Sequence, residues 1–283
     1  MIVKARSPHT GFTLVELLVV ISIMGILAGL TVPALRNMLK AEAQVSATRQ
    51  LLDDVGRARQ CAISQRTTVY MIFLPANFWS DASYAGNTAA FNALPQAEKD
   101  KAAKLFDKQL NSYAFVTVRS VGDQPGRPTV RYLGSWHSLP EGTFIPPWKF
   151  NLPTLSPVAI TDPPAPATAQ RTYYVRGFNL TSPTNGVPFP SVDGSTSFTL
   201  PYISFDYRGK LNSLESDYNG NPTDAFIPLA RGTLAHALDA NKVPLRNPPT
   251  VLERPVGNST NAFNLIRIDW LTGRAKVERQ EIQ

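Results

Sequence analysis

The sequence predicts an α+β fold in which one long N-terminal helix leads into an antiparallel β domain. Three observations predict it. An apolar run from Leu17 to Leu35 passes directly into a helical pattern that lasts to about Gln65. Beyond it the chain consists of short β-branched and aromatic stretches separated by proline and glycine. Two such stretches, 261–270 and 275–280, close the chain around a four-residue turn, Leu271 to Arg274. Composition agrees: of 283 residues only 17% are charged, while 24 are proline and 17 glycine, which points to a loop-rich β domain.

The first segment, 1–11, carries Lys4 and Arg6 and no acid. A basic start before an apolar run looks superficially like a secretory signal peptide. The order of parts argues against one, because the small residue Gly11 precedes the apolar run and no A-x-A-like site follows it. Leu17 to Leu35 is 19 residues, about 28 Å as a helix and so about one hydrocarbon core. A lone carboxylate, Glu16, stands at its head. Placing a carboxylate next to lipid is unfavourable, so either a partner compensates it or the side chain snorkels to the headgroups. Gly25 and Gly29 form a G-x-x-x-G pair, which either admits a second helix at close range or reflects the frequency of glycine in membrane helices. Pro33 removes a backbone donor and predicts a bend or local unwinding there.

The helical pattern resumes at Ala34. Leu51, Val55, Ala58 and Ala62 fall on one stripe, with Arg57, Arg59 and Arg66 off it, so this half is expected to pack its stripe on a sheet. Cys61, the single cysteine, excludes an intramolecular disulfide and reads as a small core residue. Strands are expected at 67–74, 113–120, 129–133, 171–180, 198–207 and 226–229, with the closing hairpin after them. Residues 76–94 read as irregular and 95–110 as a short charged surface helix. The stretch 140–166 holds eight prolines and reads as a loop or extended excursion rather than core.

The head carries a specific resemblance. Gly11-Phe12-Thr13-Leu14-Val15-Glu16 followed by the apolar run resembles the class III signal of type IV pilins and type II secretion pseudopilins. That resemblance implies cleavage between Gly11 and Phe12 by a prepilin peptidase, and N-methylation of Phe12. It implies that Glu16, fifth in the mature chain, faces the N-terminal amine of a neighbouring subunit, and that Pro33 is the family's helix-breaking proline. It implies a pilin-like fold: leader 1–11, transmembrane helix 12–35, amphipathic helix 36–66, and an exterior antiparallel β domain 67–283 with insertions at about 76–112 and 140–170. The expected partners are the peptidase, other pilin subunits and the assembly platform, at a bacterial inner membrane. Because Arg36 and Lys40 balance Lys4 and Arg6 across the span, the orientation, with the C-terminal domain periplasmic or extracellular, rests on the resemblance. More finely, LLDDVGRARQCAISQRTTVYMIFL, ISFDYRGKL and NLIRIDWLTGRAKV resemble H-type minor pseudopilins and FimT-like minor pilins. Residues 76–170 match no pattern of that kind.

Catalytic chemistry is not expected. His9, His137 and His236 are too few and scattered for a His-based metal site, and no hydrolase, zincin, Walker or dinucleotide fingerprint occurs. Asp217 to Asn221 offers oxygen ligands but lacks the spacing of a calcium loop, so a turn is the preferred reading. Trp79, Trp136 and Trp148 are expected to pin long loops to the core rather than bind sugar or protein. The net charge of +7 is spread without a dense basic run, so nucleic-acid binding is not indicated. No cofactor or metal is expected. Two readings follow: an assembly subunit, a minor one, that works by polymerisation, or a membrane-anchored extracytoplasmic binding module or enzyme that uses the head only for placement.

Overall fold

The computed structural model describes residues 13–80, 88–119, 122–124, 129–151, 157–161, 171–179, 186–194, 196–212, 222–261 and 264–279, without the side chains of 28, 30–41 and 90. Helix α1 spans Leu14–Gln65. There follow β1 (Val69–Phe73), α2 (Thr88–Ala93), α3 (Gln96–Ala103), β2 (Ser112–Thr117), β3 (Arg131–Tyr132), β4 (His137–Ser138) and β5 (Thr143–Phe144). The middle of the chain holds α4 (Pro147–Asn151), β6 (Val158–Thr161), β7 (Thr172–Val175), β8 (Val187–Phe189), β9 (Thr196–Phe198) and β10 (Tyr202–Phe205). The last part holds β11 (Ala225–Pro228), β12 (Ala230–Ala235), β13 (Thr250–Glu253), α5 (Asn258–Asn261), β14 (Asn264–Ile268) and β15 (Ala275–Arg279). Backbone contacts divide the chain after Glu42. The mixture of helix and antiparallel sheet is that of an α+β protein.

The helix backbone continues through position 33, so the local unwinding expected from Pro33 does not occur. One missing amide donor leaves the rest of the hydrogen-bond ladder in place. Past Ala43 the predicted stripe is the buried face: Leu51, Val55 and Ala62 are 0% exposed and Ala58 1%. Cys61 is half-buried at the margin of that core rather than within it.

The stripe lies in one hydrophobic cluster with one face of an antiparallel sheet ordered β10-β1-β2-β3, with β4 also on β2. Side chains alternate across a strand with period two. Val69, Met71 and Phe73 of β1, with Tyr113 and Phe115 of β2, face the α1 core. Tyr70, Ile72, Ala114 and Val116 face the other way, into a second core. That second core corrects the reading of 76–94 as irregular and of 95–110 as a surface helix. Phe78, Trp79, Phe91, Leu94, Leu105 and Phe106 are buried there, so this segment covers the far face of the sheet. A strand apolar on both faces requires such a cover, and β1 (VYMIF) is buried at every position.

The reading of 140–166 as a loop rather than core is corrected as well. Phe144, Ile145 and Phe150 are core residues despite the prolines around them. Lys149 is fully buried, its Nζ donating to the Arg176 carbonyl at 2.7 Å and lying 4.5 Å from the Phe178 ring centre. The tryptophans pin loops as expected: Trp79 is buried, Trp136 Nε1 donates to the Pro190 carbonyl, and Trp148 Nε1 donates to Ser259 Oγ.

The closing hairpin is present as β14 and β15, with β11 added along β14. Ala225, Ile227, Ile266 and Ile268 of this sheet join the α1 core. Phe226 and Leu265, on the opposite face, pack with Ile160, Tyr173 and Val175 of the β6–β7 hairpin. The β12–β13 ribbon is a finding the sequence did not predict. Ala230 alone is buried there, and the other residues of both strands are exposed or half-exposed, so no apolar face marks them in the sequence.

Candidate processing and assembly site

Two stretches of α1 bear on assembly, the head that carries the processing motif and the C-terminal half that carries the β domain. Gly11 and Phe12 lie outside the described residues, which begin at Thr13. Thr13 caps α1. Its backbone N–H donates to Glu16 Oε2 at 2.9 Å, and its hydroxyl donates to the same oxygen at 2.8 Å. The Glu16 N–H donates back to Thr13 Oγ1 at 3.2 Å. This is a reciprocal capping box, in which residues at N-cap and N3 satisfy each other's exposed backbone donors. Within one chain, then, Glu16 is occupied by its own helix start, and its charge lies at the positive end of the helix dipole. The sequence reading missed Thr13. The signal was in plain view as Thr-x-x-Glu at the head of an apolar run.

From Leu14 to Leu27 the helix exposes apolar side chains all round: Leu14 is 80% exposed, Ile26 65% and Met24 64%. Ser22 does not interrupt this surface, because its hydroxyl donates to the Leu18 carbonyl one turn back, at 2.8 Å. A side chain built at Gly25 or Gly29 would meet nothing within 4 Å, so the groove those glycines leave is open within this chain. Among the described residues no helix is long and apolar enough to cross a membrane. The expected span of 12–35 is therefore not met by them. The described apolar stretch, Leu14 to Leu27, is about 21 Å at about 1.5 Å per residue, short of a hydrocarbon core of about 30 Å. The side chains of 28 and 30–41, Pro33 among them, lie outside the description.

The other half of α1 is locked to the β domain by polar contacts as well as by its stripe. Tyr113 of β2 donates its hydroxyl to Asp54 Oδ2 at 2.6 Å, and His137 Nδ1 of β4 lies 3.1 Å from the same oxygen. Gln50 Nε2 bridges to the Tyr113 hydroxyl at 2.9 Å and to the Ser138 carbonyl at 3.0 Å. Burial first, and then the Asp54 carboxylate, push the Tyr113 hydroxyl far above its usual pKa, so it stays a donor. One turn earlier, Asn264 Nδ2 of β14 donates to Thr48 Oγ1 at 2.7 Å.

Near the end of the helix the three finer sequence patterns meet. Arg59 Nε donates to the Thr272 carbonyl at 2.7 Å. Gly209 and Gly273 both have positive φ, +80° and +64°, and a side chain on Gly273 would collide with the Gly209 carbonyl oxygen. A Cβ on Gly209 would lie 2.8 Å from Ile63 Cδ1. The F-x-x-x-G and T-G-R turns are thus read as a single docking point on α1, closed by glycine because nothing larger fits.

No group of three or more His, Cys, Asp or Glu among the described residues is placed to hold a metal. His9 and the 217–221 turn lie outside them. His137 belongs to the Asp54 cluster, and His236 stands apart beyond β12 with burial holding its pKa down.

No curated protein and no solved structure matches this chain. Residues 6–32 match the family model described as the prokaryotic N-terminal methylation motif, which takes in Gly11, Phe12, Thr13, Glu16, Gly25 and Gly29. The head of this chain therefore carries a prepilin-type methylation motif, the processing signal of pilin-type subunits.

Proposed function

We propose that this chain is a processed pilin-type subunit that acts by filament assembly, as a minor subunit of a type II secretion pseudopilus or a type IV pilus. One observation carries the reading: the methylation motif at 6–32 coincides with a capped helix that exposes its large apolar side chains from Leu14 to Leu27. A peptidase cutting between Gly11 and Phe12 leaves that helix and its Thr13–Glu16 cap intact. The apolar surface then exchanges lipid for the helices of other subunits, while 43–283 faces outward. Glu16 exchanges its cap for the N-terminal amine of a neighbour. The minor role is supported by the H-type patterns that converge on Arg59, Gly209 and Gly273 and by the large second core, whereas a subunit repeated along a shaft is usually more compact. The partners are a prepilin peptidase, other subunits and an assembly platform in the inner membrane, with the β domain periplasmic or extracellular.

Mass spectrometry of the chain recovered from membranes tests this. A mature N-terminus at methylated Phe12 is expected. An intact Met1, or a cut beyond residue 30, sinks the proposal.

A further inference from the structure

The outer face of the β11-β14-β15 sheet forms, with β7, a cleft of about 680 Å³ that assembly through α1 does not use. Its floor is a row across the sheet: Phe226 pairs with Arg267, and Arg267 with Lys276. Its wall is β7 and the residues at its ends, including Arg171, Tyr174 and Arg176. Four cations and two carboxylates line it.

The hydrogen bonds decide what such a cleft accepts. Asp224 has both oxygens engaged, one by Arg267 Nε at 2.6 Å and one by the Trp270 N–H at 2.9 Å. Glu278 is held by Lys276 Nζ at 2.6 Å, by the Tyr173 hydroxyl at 3.2 Å and by Arg267 Nη1 at 3.5 Å. The carboxylates are thus covered by the protein's own donors. Arg267 and Lys276 keep donors beyond these bonds, because an ammonium has three N–H groups and a guanidinium five. Lys276 is also 60% exposed. What the cleft can still offer a ligand is donors on Arg267 and Lys276 held in place by Asp224 and Glu278, which selects an acceptor of negative charge.

Size and backbone narrow this further. The volume lies in the range of sites that enclose a small molecule or a few residues of peptide, far more than one free anion fills. Among the described residues β7 pairs with β6 alone, so an extended chain can run beside it. Exposed Tyr174 and the Phe226–Tyr173 ring pair, 5.8 Å between centres, supply apolar surface between the charges. A second copy of this chain is disfavoured as the source by its net charge of +7.

We infer that the cleft is a binding site for an extended acidic peptide segment of another protein, with its carboxylates on Lys276, Arg171 and Arg176 and its apolar side chains on Tyr174 and Phe226. This does not depend on the assembly reading, since it concerns only the folded β domain.

The test uses the full chain in detergent micelles at low salt, with a fluorescein-labelled hexapeptide of alternating glutamate and valine followed by anisotropy. Saturable binding is expected, weakened about five- to tenfold by Lys276→Gln and by Arg171→Gln, with a cooperative thermal transition retained in both variants. Lys242→Gln, which removes a charge at the exposed 239–243 turn, is expected to leave affinity within twofold. Absence of saturable binding overturns the inference, as does an equal loss with Lys242→Gln, which would make the effect one of overall charge. Tighter binding of polyphosphate or polygalacturonate, with the same dependence on Lys276, overturns the peptide assignment.

Discussion

The two halves of α1 are built from similar residues and meet opposite fates. Leu51 and Val55 are fully buried, each within one stripe of an otherwise polar helix. Leu14, Leu17, Leu18, Ile21 and Ile26 are exposed, and no side of that segment is polar enough to be the solvent face. The first pattern finds its partner inside the chain, in β1, β2 and the β11-β14-β15 sheet. The second joins no hydrophobic cluster among the described residues. Each large aliphatic side chain left bare forgoes about 1.5–3 kcal/mol of burial, so the eleven exposed from Leu14 to Leu27 define a surface made for another environment. Amphipathicity separates a helix that folds a domain from one that leaves it, and Glu16 marks where the second kind begins.

The largest expected effect probes what that glutamate does. Glu16→Ala should leave cleavage at Gly11 intact and abolish incorporation into filaments, scored by immunoblot of sheared filaments beside whole membranes. The substitution removes both the cap and the charge. Glu16→Gln separates them, because glutamine still serves in a capping box but carries no charge. Loss of incorporation in both variants places the role in charge. Normal incorporation of Glu16→Gln would place it in the cap, and normal incorporation of Glu16→Ala removes Glu16 from the mechanism.

The same substitution made in each half should next give opposite results. Leu51→Ala opens a cavity at the junction of helix and sheet and is expected to cost about 2–5 kcal/mol, read from urea denaturation of the full chain in mild detergent by tryptophan fluorescence. Leu18→Ala should leave that transition where it was, because Leu18 is exposed and outside the unit that begins at Ala43. A shift with Leu18→Ala would mean that the head contributes to the folded unit.

Polar anchoring of the second half is the next weaker contribution. Tyr113→Phe removes the donor at 2.6 Å from Asp54 and leaves that carboxylate to His137 in a buried site. A buried acceptor stripped of a partner costs about 1–3 kcal/mol. The loss should be near zero in Tyr113→Phe/Asp54→Leu measured against Asp54→Leu alone, since the two residues act as a pair.

The sequence made these halves legible to different degrees. The stripe was read residue by residue because helix periodicity needs only local spacing, and the strands at β1, β2 and β10 were likewise found from their β-branched and aromatic runs. Three things were not visible. Phe78, Trp79 and Phe91 look like stray aromatics in an irregular segment until β1 is known to be buried on both faces. Phe144, Ile145 and Phe150 were masked by the prolines around them, although proline bars regular structure and not burial. The Asp54–Tyr113–His137 cluster joins residues 59 and 83 positions apart, and no local pattern announces it. The Thr13–Glu16 cap, by contrast, was fully local.

The smallest effects are those of pH, and they fall only on the β domain. Burial first, with weaker opposition from Asp107 and the Phe106 backbone, holds the His236 pKa below its usual 6.5. Its Nδ1 has no hydrogen-bond partner among the described residues. The folded state therefore resists a proton that the unfolded chain accepts, so stability should fall as pH drops from about 6.5. A second decline belongs to the closing hairpin. Burial raises the Glu278 pKa but is outweighed by Lys276, Tyr173 and Arg267, and the Thr272 backbone and hydroxyl lower that of Asp269. Groups whose pKa is depressed on folding lend stability above their unfolded value and lose it as pH falls through the folded one. This second step should therefore begin only below about pH 4.5. Thermal melts from pH 8 to 3 should show both steps, His236→Asn removing the first and Glu278→Gln shrinking the second. Neither variant should alter partitioning of the chain into membranes, because both groups belong to the unit that begins at Ala43 and not to the exposed apolar head of α1.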